Sequence, residues 1–302
     1  GHIGGTVSDP TFDGHLTAPS ILLNGQELTD MAGDLTYYEG VLRLDHFGFA
    51  QGEGKCHVSA SIDTESRVMD GMVSVRDVDL SALGAVLNQR NDLVTGRISG
   101  EAVLSGTYDS PAFTANAFVA KGLVAGYDMH DISIQAHMED GMLYVDSLKG
   151  MQGENGMLSV TGSAGVGDGM DGRLQGNLEA ESLALGLFAK MGGIATPVAG
   201  TADISATFDG TIGNPSANVR LFVCDGGFAG GQFDRLEGTL ALKNGLIHVD
   251  TLRVQKAIGG KPYEASAEGI VPLRALTAGD AEELADYEQI KLKLSLDKAD
   301  LS

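Results

Sequence analysis

Residues 100–111 read GEAVLSGTYDSP. Gly100, Ala102 and Leu104 alternate with Glu101, Val103 and Ser105, and Gly106 then precedes Pro111 by five residues. That pattern predicts a strand with one apolar face, ending in a tight turn. It decides the fold because the chain repeats it. Gly5/Pro10 and Gly210/Pro215 keep the interval, 101 residues before and 104 after Gly106/Pro111. Glu39-Gly40, Asp140-Gly141 and Asn244-Gly245 follow the same beat, as do Asp45, Asp146 and Asp250. Three markers with shared spacings define an internal repeat of roughly a hundred residues.

The repeats run over about 5–105, 106–209 and 210–302, and no linker or compositional break separates them. They predict one continuous array over 1–302. The segment 293–302 aligns with 72–81, so the chain is expected to be cut from a longer array, with Gly1 and His2 as a cloning remnant.

Working outward, period-two alternation dominates. Ile132, Ile134 and Ala136 alternate with Ser133 and Gln135; Val219, Leu221 and Val223 alternate with Asn218, Arg220 and Phe222. Leu236, Leu240 and Leu242, and later Leu292, Leu294 and Leu296, behave alike. Such strands form antiparallel, half-solvated sheets. The fold class expected is all-β: an elongated antiparallel sheet of six or seven strands per repeat, with short helices between repeats. Asp-Gly at 70–71, 140–141 and 171–172 and Asn-Gly at 244–245 read as hairpin turns. Leu80, Leu83 and Leu87 behind Asp79 read as a helix, echoed over 182–190, and 278–289 as a helical insertion.

Composition excludes several functions. A net charge of −21 argues against nucleic acid, which requires clustered Lys and Arg, and against simple adhesion to an anionic membrane. No apolar run reaches transmembrane length. Cys56 and Cys224 stand at unmatched places in the repeat and read as unpaired thiols. His2, His15, His46, His57, His130, His137 and His248 are scattered without metal-ligand spacing. The Gly/Asp-rich segment 165–172 reads as a turn rather than a calcium loop, because it occurs once and lacks a terminal acid. The repeated aspartates lie too far apart to converge for acid–base work and read as turn or edge residues. No cofactor, metal or enzymatic activity is expected.

What remains is the apolar strand face. A sheet this wide must curl, close or split. Folded over, it makes a trough for aliphatic chains; packed against itself, it makes an ordinary core, and alternation fits both. The residues expected to line a groove are Ile98, Ala102, Leu104, Ile132, Ile134, Ala136, Ile204, Ala206, Phe208, Val219, Leu221, Val223, Leu236, Leu240 and Leu242.

These motifs carry a resemblance. The run from Gly100 to Thr107 with Pro111, the run from Thr207 to Thr211 with Pro215, and the two segments 140–146 (DGMLYVD) and 244–250 (NGLIHVD) resemble the C-terminal repeats of TamB-type members of the AsmA-like family. The resemblance covers nearly the whole chain except 278–289. It implies a β-taco, an elongated sheet folded over an apolar concave side. It also implies a periplasmic protein anchored in the inner membrane by a segment outside this sequence. Implied partners are phospholipid or another hydrophobic substrate, and an outer-membrane barrel protein. The implied function is lipid transport between membranes in outer-membrane biogenesis. The alternatives are a chaperone-like groove for outer-membrane strands and an adhesive β-solenoid.

Overall fold

The computed structural model describes residues 1–7, 9–81, 84, 93–167, 171–277 and 289–297. The chain is all-β. Its strands are β1 (His2–Thr6), β2 (Asp9–Leu23), β3 (Gln26–Tyr38), β4 (Val41–Gln51), β5 (Gly54–Asp63), β6 (Met69–Asp79), β7 (Val94–Thr107), β8 (Ser110–Val124) and β9 (Tyr127–Glu139). They continue as β10 (Met142–Gln152), β11 (Gly156–Gly165), β12 (Leu174–Ala184), β13 (Val198–Thr211), β14 (Asn214–Phe228), β15 (Gly231–Lys243), β16 (Leu246–Ile258), β17 (Lys261–Pro272) and β18 (Lys291–Asp297). Two short helices complete the described elements, α1 (Leu185–Met191) and α2 (Arg274–Thr277). Six strands make one repeat, from β2 to β7 and from β8 to β13.

The chain divides into two compact units, one of residues 1–148 with 166–170, the other of 149–165 with 171–302. In the first, β1 to β9 pair antiparallel, each with its sequence neighbour. In the second, β11 to β18 do the same.

The repeat markers are turn chemistry. Gly5, Gly106 and Gly210 stand directly opposite Pro10, Pro111 and Pro215, the latter two pairs beside a two-residue turn. In each turn a threonine hydroxyl accepts the N–H three residues on: Asp9 to Thr6, Ser110 to Thr107 and Asn214 to Thr211, at 3.1, 3.2 and 3.1 Å. Gly106 has φ +92°, and an added Cβ would lie 2.5 Å from the Ser110 carbonyl oxygen. Gly106→Ala is therefore expected to cost at least about 1–2 kcal/mol, read as a lower urea midpoint with unchanged m-value. The second marker is a type I′ turn, with both central residues at positive φ: 46° and 77° at Glu39-Gly40, 49° and 72° at Asp140-Gly141, 51° and 72° at Asn244-Gly245.

Six expectations need correction or restriction. Asp70-Gly71 lies inside β6, opposite Ser61 and Ala60, because Gly71 faces inward in a strand rather than turning. Asp171-Gly172 falls in the connection between β11 and β12, and 168–170 lie outside the described residues. Asp45, Asp146 and Asp250 are neither turn nor edge residues; each sits within a strand, five residues beyond the type I′ glycine. The helix echoed over 182–190 starts only at Leu185, because Ser182 holds φ +51° in a bulge of β12. Most of the helix expected through Leu83 and Leu87, and the insertion at 278–288, lie outside the described residues; Asp79 does accept the Ser81 N–H at 2.9 Å, as a helix cap would.

Bulges fold the strands. Register shifts interrupt β12–β13 at Ala180/Leu183, β13–β14 at Ala199/Thr201, β15–β16 at Thr239/Leu240 and β16–β17 at Val249/Leu252. Each extra residue bends its strand and sharpens the local twist. In the second unit a chain of hydrogen bonds measures the bend. At one end of β15 the Ala229 N–H donates to Pro197 O (3.3 Å); at the other the Leu273 N–H donates to Gly245 O (2.8 Å). Between these points the Ala195 N–H donates to Leu276 O at 3.1 Å. A straight β15 would separate its two turns by about 40 Å, whereas the path through Ala195 and Leu276 spans roughly 25 Å. The strands must fold over, and α1 packs on the side that becomes the inside.

Candidate functional site

Register aligns the apolar residues into rows that run across the strands. In the second unit one row is Val160, Leu178, Ala206, Val219, Leu240, Val249 and Gly269. A parallel row is Leu158, Ala180, Ile204, Leu221, Gly238, Leu252 and Ala267. Two more flank them, Phe208, Ala217, Leu242, Ile247 and Val271 on one side, and Leu183, Ala202, Val223, Leu236, Val254 and Ala265 on the other. Four rows two residues apart cover about 20 Å along the strands. No charged residue interrupts them.

The first unit builds the same surface. Leu35, Leu44, Ala60, Gly71, Leu104, Phe113 and Met138 form one row. Phe47, Val58, Val73, Ala102, Ala115 and Ala136 form the next; Phe49, Cys56, Val75, Gly100, Ala117 and Ile134 a third; and Val78, Ile98, Val119 and Ile132 a fourth.

Burial divides this face into a dry part and a wet part. Leu183, Ala202 and Val223 on the strands and Leu187 on α1 have no exposed surface, and Leu185 of α1 packs on the cluster of Ala202, Val223 and Phe233. Ile204, Leu221 and Leu236 pack at the border of that cluster and, like Ala206, Phe208, Val219, Leu240 and Leu242 beyond it, are only half-buried. In the first unit Val78, Val119 and Ile132 are buried, whereas Ile98, Ala102, Leu104, Ile134 and Ala136 are half-buried. The structure thus places all fifteen expected residues on the inward rows, but Val223 and Ile132 are core rather than lining. Val223 has no surface to offer a ligand. The rows also contain residues that alternation in β8 and β6 had offered and the sequence reading passed over: Phe113, Ala115, Ala117, Val73 and Val75.

The opposite face is mostly polar, although Met72, Val103 and Phe118 stand exposed on it, and its charged groups pair locally. On β2–β4, the Asp34 carboxylate meets His15 Nδ1 at 2.6 Å and His46 Nδ1 at 3.6 Å. The His15 hydrogen bond holds the Asp34 carboxyl below its usual range against the opposing effect of desolvation, with the charges of His15 and His46 assisting. A depressed carboxyl stabilises the fold fully above the unfolded value near 4, and that contribution disappears as pH falls through the lower folded value. Asp34→Asn is expected to flatten the acid limb of the Tm–pH curve below about pH 4. A variant whose limb parallels the parent's would contradict this. On β9–β10, His137 meets Asp146 at 2.8 Å and stacks on Tyr144 with centroids 4.5 Å apart. Cys56 and Cys224 are free; burial in the inward row beside Phe49 and Val75 pushes the Cys56 thiol up. Among the described residues no three His, Cys, Asp or Glu side chains gather to hold a metal, and no helix is long and apolar enough to cross a membrane.

The chain matches no family model, no curated protein and no solved structure. Its chemistry must be argued from the rows themselves.

Proposed function

We propose that the half-exposed apolar face shields lipid acyl chains, and that the chain is a segment of a TamB-type, AsmA-like conduit in the periplasm. One observation carries this reading: uncharged rows of Leu, Ile, Val, Ala and Phe continue across strand after strand while keeping contact with water. A filled core would bury them, as α1 does at Val223. The rows offer no reactive group, and transfer along them requires none. Each methylene removed from water gains about 0.8 kcal/mol, so shielding some eight methylenes gives about 6 kcal/mol. That corresponds to dissociation constants of tens of micromolar, tight enough to hold a chain and weak enough to pass it on. Headgroups stay in water along the open side. The conduit reading brings with it an outer-membrane barrel partner at one end and a membrane anchor at the other.

The test is lipid extraction from the purified chain followed by mass spectrometry. Phospholipid at near-stoichiometric amounts is expected. Polypeptide in place of lipid would instead favour a groove that receives outer-membrane strands, and an empty face would favour an adhesive solenoid.

A further inference from the structure

In the second unit, the segment 192–197 leaves α1 at one end of the bent strands, and α2 stands at the other. The Ala195 N–H···O=C Leu276 hydrogen bond joins them, bridging the two ends of the bent strands. Neither segment is part of the sheet. We propose that 192–197 and α2 form a clasp over the apolar face, which must open for an acyl chain to enter the trough from its side. The inference rests on the lipid reading above and adds how that site is loaded.

Local structure gives the clasp a fixed base and a movable arm. The base is α1, seated on the dry cluster through Leu185, with its end closed by Gly192 and Gly193 N–H groups donating to Phe188 O and Lys190 O. Gly193 turns at φ +67° with open space around it, so the chain can swing there without meeting a neighbour. The arm ends at Pro197, whose carbonyl is tied to Ala229. Between hinge and tie, the arm is held by two backbone hydrogen bonds, Ile194 N–H to Ala189 O at 2.8 Å and Ala195 N–H to Leu276 O at 3.1 Å, each worth a net ~1 kcal/mol, and only the second crosses to α2. Opening it exposes no part of the cluster under α1, because that cluster lies on the other side of the hinge. Release is therefore expected to be a local event, far less costly than unfolding the sheet.

Two measurements on the full chain test this. Hydrogen exchange should find the Ala195 amide exchanging at least about a hundredfold faster than strand amides such as that of Leu221. Protection equal to the strand's would overturn the proposal, whatever the ligand. The second uses Ala195→Cys with Leu276→Cys in a chain whose native thiols are removed by Cys56→Ala and Cys224→Ala. With vesicles of phosphatidylcholine carrying a pyrene-labelled phospholipid, the oxidised chain should take up probe roughly tenfold more slowly than the same chain after reduction. Equal uptake in both states would overturn the clasp while leaving the lipid reading in place. No uptake in either state would overturn both, and would be distinguished from misfolding by an unchanged exchange pattern in the strands.

Discussion

Ala206→Asp combined with Leu240→Asp will abolish lipid binding and leave the sheet folded. The two residues lie in one inward row, on β13 and β15, with Val219 between them. Both are half-buried, so each new carboxylate keeps access to water and costs about 1–3 kcal/mol rather than the penalty of full burial. A domain with 5–15 kcal/mol to spare survives that. An acyl chain crossing the row does not, because it would have to desolvate both charges. Bound lipid should fall at least about tenfold, with far-UV circular dichroism unchanged. Thr207→Asp with Ala241→Asp, one residue along on the polar face, should bind lipid as the parent does. If the inward pair retains lipid, the row is not the binding surface.

Val223→Asp should do the opposite. Val223 shares a cluster with Ala202, Phe233, Leu185 and Leu236 and has no exposed surface. A carboxylate there finds neither water nor a cationic partner among those side chains, and removal from water costs several kcal/mol. The second unit should lose its cooperative transition. Leu187→Ala, which only opens a cavity beneath α1, is expected to cost about 2–5 kcal/mol and lower Tm without abolishing folding. Urea titration separates the two. A stable, lipid-free Val223→Asp protein would mean that this residue lines the trough after all.

The contrast between these two positions shows where sequence reading ends. Ala206, Leu240 and Val223 carry the same alternating signal, and nothing local in the chain marks Val223 as dry. That distinction comes from α1, which folds back over one end of β12–β14. The turns were legible where chemistry forced them: Gly106 and Asn244-Gly245 adopt backbone angles that few other residues accept. Ala125-Gly126 and Ala229-Gly230 turn in the same way as Asn24-Gly25, with φ near 50° at the first residue of each. Alanine carries no turn signal, so those two were not legible, whereas Asn24-Gly25 carried the signal and was not among the turns expected. Asp70-Gly71 misled for the converse reason. The dipeptide is compatible with a hairpin, but Ala60 and Leu104 on either side of Gly71 pack it as a strand. Asp30, Asp77, Asp131 and Asp225 all hold positive φ within strands, and Asp30, Asp77 and Asp225 sit at bulges. Aspartate tolerates that conformation better than most residues, yet a single aspartate among polar neighbours gives no warning of it.

Photo-crosslinking with a phospholipid bearing a diazirine near the end of one acyl chain tests the central claim most directly. Peptide mapping should find the label on the half-buried inward residues, among them Leu104, Ile134, Val219, Leu221 and Leu240, and not on their outward neighbours Val103, Gln135, Arg220 and Glu237. Label spread equally over both faces, or confined to the outward one, would contradict the assignment of the apolar rows as a lipid-shielding surface.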